Sequence, residues 1–148
     1  MKRLFLALGA CLLVFHGAGL AASSIYFSEP ITSTQKVSAA ADPRGYRIDA
    51  ARSIYEAYAP RIYKGRLPPL IHAVVVIETT VDGSGRARDV RVVRGPSHAP
   101  DVTEAVVQMI RRVSLPATAN ASGFKFTEIW LVTKDGRFQL DALTEGQN

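Results

Sequence analysis

Cysteine is almost absent from this chain of 148 residues. Its single cysteine, Cys11, lies in an apolar N-terminal stretch that we expect to be removed, and a disulfide needs two thiols. The mature chain is therefore expected to have neither a disulfide nor a thiol nucleophile. Its core alone must stabilise the fold.

Histidine is also scarce, which bears on metal binding. Of the three histidines, His72 and His98 have no histidine, cysteine or carboxylate at the spacings that build a zinc or iron site. We expect both to be surface or loop residues, and we expect no metal and no cofactor.

Signatures of catalysis are missing too. Ser84 and Ser97 could be combined with the histidines, but no nucleophile-elbow motif surrounds either serine. The carboxylates Glu78, Asp82 and Asp89 have the spacing of strand and turn residues and form no acid and base pair. We predict no catalytic residue, so the chain is not expected to be an enzyme.

A concentrated basic surface is not evident either. The chain has 18 Lys and Arg against 13 Asp and Glu, but Lys2 and Arg3 belong to the N-terminal signal, which leaves 16 basic residues and a net charge of +3. The chain also shows no aromatic platform on which bases would stack. We therefore exclude nucleic acid as a partner.

The N-terminus has the three parts of a signal peptide. Lys2 and Arg3 precede an apolar run over residues 4–15, and small residues follow over 17–22. We predict a signal peptide over residues 1–21, with cleavage after Ala21. The pattern predicts that the mature chain is exported from the cytoplasm.

Two alternatives for this segment remain open. Residues 8–11 end in Cys11 and resemble the site before a lipid-modified cysteine, although the apolar run continues past it. Residues 4–22 are also just long enough to cross a bilayer as an uncleaved anchor. Only an anchored chain would contact the membrane, and His16 would then be a functional candidate, because an ionisable side chain is costly there.

The folded domain is predicted to begin well after this segment. Residues 22–48 mix Ser, Thr, Ala, Pro and Gly without a hydrophobic period, which indicates a flexible lead-in. The domain is predicted over residues 49–148. Its first element is a short helix over 49–58, where Ala50, Ile54 and Ala57 recur at helical spacing.

Alternating residues predict two strands that form a hairpin. The first strand runs over residues 70–81, and after a turn over 82–85 the second spans 86–94. A change of phase indicates a β-bulge near Arg88 and Asp89. The second strand carries arginines at positions 86, 88, 91 and 94. They form either a solvated face that prevents edge aggregation or a ligand site.

An amphipathic helix and two further strands follow. Asp101 and Glu104 have the spacing of a capping box, and an apolar stripe continues to Val113 before Leu115 and Pro116 end the helix. Strands are predicted over 124–133 and 137–141. This order predicts an α+β fold, in which a small antiparallel sheet of three or four strands packs on one amphipathic helix, with a short helix before it.

A series of short motifs accompanies these elements. They are Val81-Asp82, Gly85, Ala87, Asp89-Val90 and Val92, then Asp101 before the helix and Leu115-Pro116 after it. Their order and spacing resemble the C-terminal domain of TonB-type energy transducers, in which a strand ending in Val-Asp, a glycine turn and an Asp-Val-x-Val strand precede the helix. The resemblance covers about residues 58–141.

The resemblance implies a non-enzymatic binding module that captures an extended peptide by adding it to a sheet edge. It places that edge on the strand over 124–133, with six candidate partner-binding residues: Phe126, Glu128, Ile129, Trp130, Leu131 and Val132. Their alternative role is in the core, because one face of the strand must cover the helix. The strand over 137–141 could also pair with this edge and occupy it.

The resemblance also implies a location in the periplasm of a Gram-negative bacterium and a protein or peptide as partner, with an outer-membrane protein as one candidate. Two other functions stay open. An uncleaved anchor would make the chain an inner-membrane energy transducer for outer-membrane transport. Alternatively, the exposed edge could pair two copies of the domain and form a homodimer.

Overall fold

The computed structural model describes residues 29–31 and 34–147, so the predictions on residues 1–21, on Cys11 and on His16 lie outside the described residues. The helices and strands are β1 Val37–Ser38, α1 Pro43–Ala57, β2 Ala73–Val81, β3 Ala87–Arg94, α2 Pro100–Arg112, β4 Ala117–Thr118, β5 Phe124–Val132 and β6 Phe138–Leu140. Short 3₁₀ turns follow α1 at Ala59–Arg61 and β6 at Asp141–Leu143.

Four of the strands form one antiparallel sheet in the order β3-β2-β5-β6. Within it, β2 pairs with β5 along the full length of both strands. β1 and β4 form a separate parallel pair that the sequence did not predict. The fold is α+β, as predicted, and the four strands predicted in the domain are confirmed apart from their ends.

The core lies on one face of the sheet. Alternate residues of β2, from Ala73 to Val81, and of β5, from Phe124 to Val132, are buried on this face. Both helices pack there, with the Tyr46 ring of α1 centred 5.0 Å from the Phe124 ring and the apolar stripe of α2 in the same cluster. The prediction of a short first helix and one helix on the sheet is therefore corrected, because α1 is the longer helix and shares the core.

Helix α1 begins at Pro43, six residues before the predicted start at Asp49. Asp42 is its N-cap, and its carboxylate accepts hydrogen bonds of 2.9 Å from the backbone N–H groups of Arg44 and Gly45. Pro43 suits the first helical position, where an N–H has no helical partner to lose. The end of the predicted flexible lead-in over 22–48 is therefore helical.

The residues just before α1 are also packed against the domain. Ser38 of β1 is buried, and its hydroxyl donates a hydrogen bond of 2.7 Å to Asp49 Oδ2. The side-chain amide of Gln35 donates to the carbonyls of Ser84 and Leu115. Polar contacts of this kind leave no hydrophobic period, so the sequence pattern could not show them.

Helix α2 has the predicted apolar stripe, and its buried residues include Val102, Ala105, Val106, Met109 and Ile110. The predicted capping box is wrong, because the N-cap is Ala99, whose side chain cannot accept a hydrogen bond. Glu104 instead accepts a hydrogen bond from Gln108 one turn later. In the part of the chain that the structure describes, no helix is both long and apolar enough to cross a membrane.

The chain between α1 and β2 covers the outer side of β6. Ile62 forms a parallel bridge with Phe138, and the Tyr63 N–H donates to the Phe138 carbonyl at 2.9 Å. The buried side chain of Gln139 donates to the carbonyls of Tyr63 and Gly65. This end of the sheet is therefore closed by the chain itself.

Candidate protein-binding edge

The structure corrects the placement of the binding edge on the third predicted strand. That strand is β5, which pairs with β2 over its whole length and with β6 over residues 130–132. It is an inner strand of the sheet. The strand predicted over 137–141 is β6, and it pairs with β5 along part of the edge that was predicted to be open.

Four of the six candidate residues face the core and are at most 7% exposed: Phe126, Glu128, Trp130 and Val132. The other two, Ile129 and Leu131, are half-buried on the opposite face of the sheet. The alternative role in the core therefore applies to the first four. A partner strand could not contact their side chains without unpacking the domain.

Glu128 is the unexpected member of this buried row. Its carboxylate accepts two hydrogen bonds from Arg47 of α1, from Nε to Oε2 at 3.1 Å and from Nη2 to Oε1 at 2.8 Å. The backbone N–H of Ala142 also donates to it, and Arg47 contacts Asp141 at 2.7 Å. The hydrogen bond to Glu128 is the largest cause of the raised pKa of Arg47. This cluster connects α1, β5 and the last 3₁₀ turn.

The open edge of the sheet is β3. It pairs with β2 on one side, and no described strand lies on its other side. Six of its eight residues are exposed, and only Ala87 and Val90 pack partly against the core. The sequence predicted this strand but not its position at the edge, since strand order depends on contacts between distant parts of the chain.

Two β-bulges limit the regular part of this edge. The pairing of β3 with β2 shifts at Arg88 and again at Val93, because each is an extra residue without a partner across the ladder. The first shift confirms the bulge predicted near Arg88 and Asp89. Between the bulges, residues 89–92 pair regularly with Ile77–Thr80 and present an undistorted edge.

The arginines of β3 fall into two groups by their partners. Arg88 lies 2.6 Å from Asp82 and Arg91 lies 3.0 Å from Glu78, so the two central arginines are in ion pairs. The hydrogen bond from Arg91 is the main cause of the lowered pKa of Glu78. At the two ends of the strand, Arg86 and Arg94 have no ion-pair partner among the described residues.

A cavity of about 420 Å³ lies where β3 begins. Arg86 lines it from the β2–β3 turn, and Arg111 lines it from the last turn of α2. Ser84, Ser114 and Gln35 add polar groups, and no carboxylate lines the cavity. The site is therefore positively charged, and it lies beside Ala87, the first residue of β3.

A second cavity of about 420 Å³ lies where β3 ends, lined by Arg94, Ser97 and both predicted surface histidines. The His72 and His98 rings are 5.5 Å apart, and His98 Nε2 lies 2.8 Å from the His72 carbonyl oxygen. Neither ring is buried. The described residues contain no group of three His, Cys, Asp or Glu that could hold a metal ion.

A shorter stretch of β5 itself also lacks a neighbouring strand on one side. Over residues 124–129 no strand of the described chain pairs with its second side. An open cavity of about 370 Å³ lies there, lined by Arg44 and Arg47 of α1 and by Lys125, Phe126 and Thr127. This stretch is the part of the predicted binding edge that β6 leaves open.

Comparison of the chain with protein-family models, with curated proteins and with solved structures gave no match. The resemblance to the C-terminal domain of TonB-type transducers therefore rests on the short motifs alone. It stays a prediction.

Proposed function

We propose that this protein is a non-enzymatic binding module that takes up an extended segment of a partner protein as an additional strand along β3. The observation that carries the proposal is that β3 is paired on one side only and is exposed over most of its length. In strand addition, backbone hydrogen bonds supply affinity, and side chains on alternate residues supply specificity.

The chemistry of the edge supports this proposal. Alternate residues of an edge strand direct their N–H and C=O groups away from the sheet, where a partner backbone can pair with them. β3 contains no proline, which would remove such a donor. Its regular stretch over residues 89–92 is short, so flanking side chains must contribute to the affinity.

We place the partner on β3 rather than on β5. The open stretch of β5 lies beside α1, whose Tyr46 ring packs on Phe124 and Phe126. No described strand pairs with the second side of β3 anywhere along its length, whereas β5 lacks such a neighbour only over residues 124–129. The stretch over 124–129 is the alternative edge, and it serves as the control position below.

Cysteine trapping can test the placement in a protein that carries Cys11→Ser, because Cys11 is the chain's single thiol. Asp89→Cys puts a thiol on the exposed centre of β3, and Thr127→Cys puts one on the open stretch of β5. The probes are synthetic peptides of about ten residues that alternate Thr with either Glu or Gln. Each carries one cysteine as a mixed disulfide with 2-thiopyridine, so that the protein thiolate attacks the peptide sulfur and releases 2-thiopyridone. We expect disulfide exchange to join at least one peptide to Asp89→Cys faster than to Thr127→Cys.

Three results would contradict the proposal. Equal trapping at both positions by every peptide would mean that no edge is preferred, and faster trapping at Thr127→Cys would move the site to β5. Rapid formation of a covalent homodimer by Asp89→Cys without peptide would replace the partner protein by a second copy of the chain. Hydrogen exchange supplies the second measurement, because the β3 amides should exchange more slowly when a peptide is bound.

We further propose that the module works in the periplasm after removal of residues 1–21. The support is the order of a basic start, an apolar run and small residues. The intact mass of the protein in the periplasmic fraction tests it, with a chain starting at Ala22 as the expected result. A full-length mass in the membrane fraction would instead favour the anchored energy transducer.

A further inference from the structure

We propose that the partner segment is acidic, and that Arg86 and Arg111 bind its carboxylates where β3 begins. This inference rests on the proposed strand addition and names the class of partner that the edge selects. It is carried by the distribution of charge along β3, by the partners of each arginine and by the cavity between the β2–β3 turn and the end of α2.

The open edge carries more positive charge than its neighbours neutralise. From residue 86 to residue 94 the chain has four arginines and one aspartate, Asp89. Asp82 and Glu78 each hold one of the two central arginines. The remaining positive charge lies at the ends of the strand, on Arg86 and Arg94.

Arg86 and Arg111 line the same cavity from two different elements. Neither guanidinium takes part in an ion pair within the described part of the chain, and both side chains are exposed. An arginine fork presents several N–H donors in one plane and matches a carboxylate by geometry as well as by charge. The hydroxyl of Ser114 adds a neutral donor to the same cavity.

The opposite end of the edge repeats the pattern with Arg94. Strand residues advance about 3.3 Å each, so Arg86 and Arg94 lie on the order of 25 Å apart along the strand. A partner strand of about eight residues would span this distance. We therefore expect acidic residues near both ends of the segment, with the cavity of Arg86 and Arg111 as the stronger site.

The same charges disfavour a second copy of this chain as the occupant. Pairing of two β3 strands would bring together two segments that each carry four arginines and one aspartate over residues 86–94. Like charges opposite each other destabilise a strand pair. A partner segment that carries Glu or Asp avoids this repulsion, and its carboxylates can pair with Arg86 and Arg94.

Fluorescence anisotropy with the two peptides tests the inference. The Thr–Glu peptide should bind more tightly than the Thr–Gln peptide, and added salt should weaken only the former. The double variant Arg86→Gln/Arg111→Gln should lower the affinity for the Thr–Glu peptide about fivefold, since exposed charge pairs are individually weak. The matched control is Lys64→Gln/Arg66→Gln, which removes the same charge from two exposed basic residues outside the cavities described above and should leave the affinity unchanged.

The outcomes separate this inference from the proposed function. Equal affinity for both peptides, with trapping at Asp89→Cys retained, would overturn the acidic partner and leave strand addition standing. An equal loss in the control variant would mean general charge attraction and would overturn the assigned site. A loss specific to Arg86→Gln/Arg111→Gln without trapping at Asp89→Cys would overturn strand addition, and with it the placement of the acidic segment along β3.

Discussion

Arg47 of α1 holds the buried carboxylate of Glu128 through two hydrogen bonds, at 2.8 and 3.1 Å, in the middle of the core-facing row of β5. The Glu128 side chain is 3% exposed and the Arg47 side chain 27% exposed. A charge removed from water to this extent is tolerated only with a well-placed partner. The position of α1 on the sheet therefore depends on this ion pair.

We predict that Arg47→Met destabilises the domain by about 3 kcal/mol, because it leaves the Glu128 carboxylate buried without its cation. The free energy of unfolding, measured with urea at neutral pH, checks this. The double variant Arg47→Met/Glu128→Met should recover a large part of the loss, since it removes the buried charge as well. If the double variant loses as much stability as Arg47→Met and Glu128→Met lose together, the two side chains do not interact, and the prediction is contradicted.

A second prediction concerns the tight turn between β2 and β3. Gly85 has φ +77°, and a Cβ atom there would lie 2.3 Å from the Leu115 carbonyl oxygen. We predict that Gly85→Ala lowers the free energy of unfolding by more than about 3 kcal/mol, because the turn must then separate from the chain that follows α2. Thermal unfolding monitored by circular dichroism measures the loss.

Gly65 provides the control for this prediction. It has φ +80°, but no atom lies within 4 Å of its added Cβ. Gly65→Ala should therefore cost only the left-handed backbone conformation, about 1 kcal/mol. Equal losses at the two glycines would show that the close approach to Leu115 is unimportant.

Periodicity was sufficient to predict most of the sheet. The alternation in β2 and β5 indicated which residues share a face, and the stripe of α2 indicated a helix laid on that face. The start of α1 was missed because Asp42 and Pro43 serve equally well in a turn and at a helix N-terminus. Only the hydrogen bonds of Asp42 to Arg44 and Gly45 distinguish the two.

The binding edge was harder to predict than the strands. The pattern of β5 is compatible with an inner strand or an edge strand, and only the family resemblance placed the binding edge there, with Glu128 among its candidate residues. Its partner Arg47 lies 81 residues away in the chain, so no local signal revealed the burial. For β3 there was a signal, since arginines at 86, 88, 91 and 94 are typical of an exposed edge strand.

A third prediction uses the two buried tyrosine hydroxyls. Tyr46 donates a hydrogen bond of 2.7 Å to the Pro116 carbonyl, and Tyr58 donates one of 2.9 Å to the Met109 carbonyl. Burial is the main cause of the raised pKa of both tyrosines. Tyr46→Phe and Tyr58→Phe should each lower the free energy of unfolding by about 1 kcal/mol, because each removes a hydrogen bond from the protein interior.

Tyr63→Phe is the matched control, because Tyr63 is only half-buried and carries its hydroxyl outside this core cluster. Urea unfolding should show a change of less than about 0.5 kcal/mol for this variant. If Tyr63→Phe loses as much unfolding free energy as Tyr46→Phe, the hydrogen bonds from the buried hydroxyls to the backbone do not explain the loss.

The last prediction concerns acid. The hydroxyl of Ser84, with the Arg86 backbone N–H and the Arg88 side chain, lowers the pKa of Asp82 to about 2. A hydrogen bond from Thr133, assisted by Arg137, lowers the pKa of Asp135 to about 2 as well.

Both folded pKa values lie below the ordinary value of 3.8, so each carboxylate stabilises the fold above that pH. This contribution is lost as the pH falls from about 4 to about 2. The midpoint of urea unfolding should therefore decrease steeply across this interval.

The variant Asp82→Asn tests this assignment. Its unfolding midpoint should be lower at pH 7 and should decrease less steeply with falling pH, because one of the two carboxylates no longer takes up a proton. The two aspartates lie in turns at opposite ends of β5, so Asp82→Asn/Asp135→Asn should add the two effects. An unchanged slope in Asp82→Asn would contradict the assignment of a lowered pKa to Asp82.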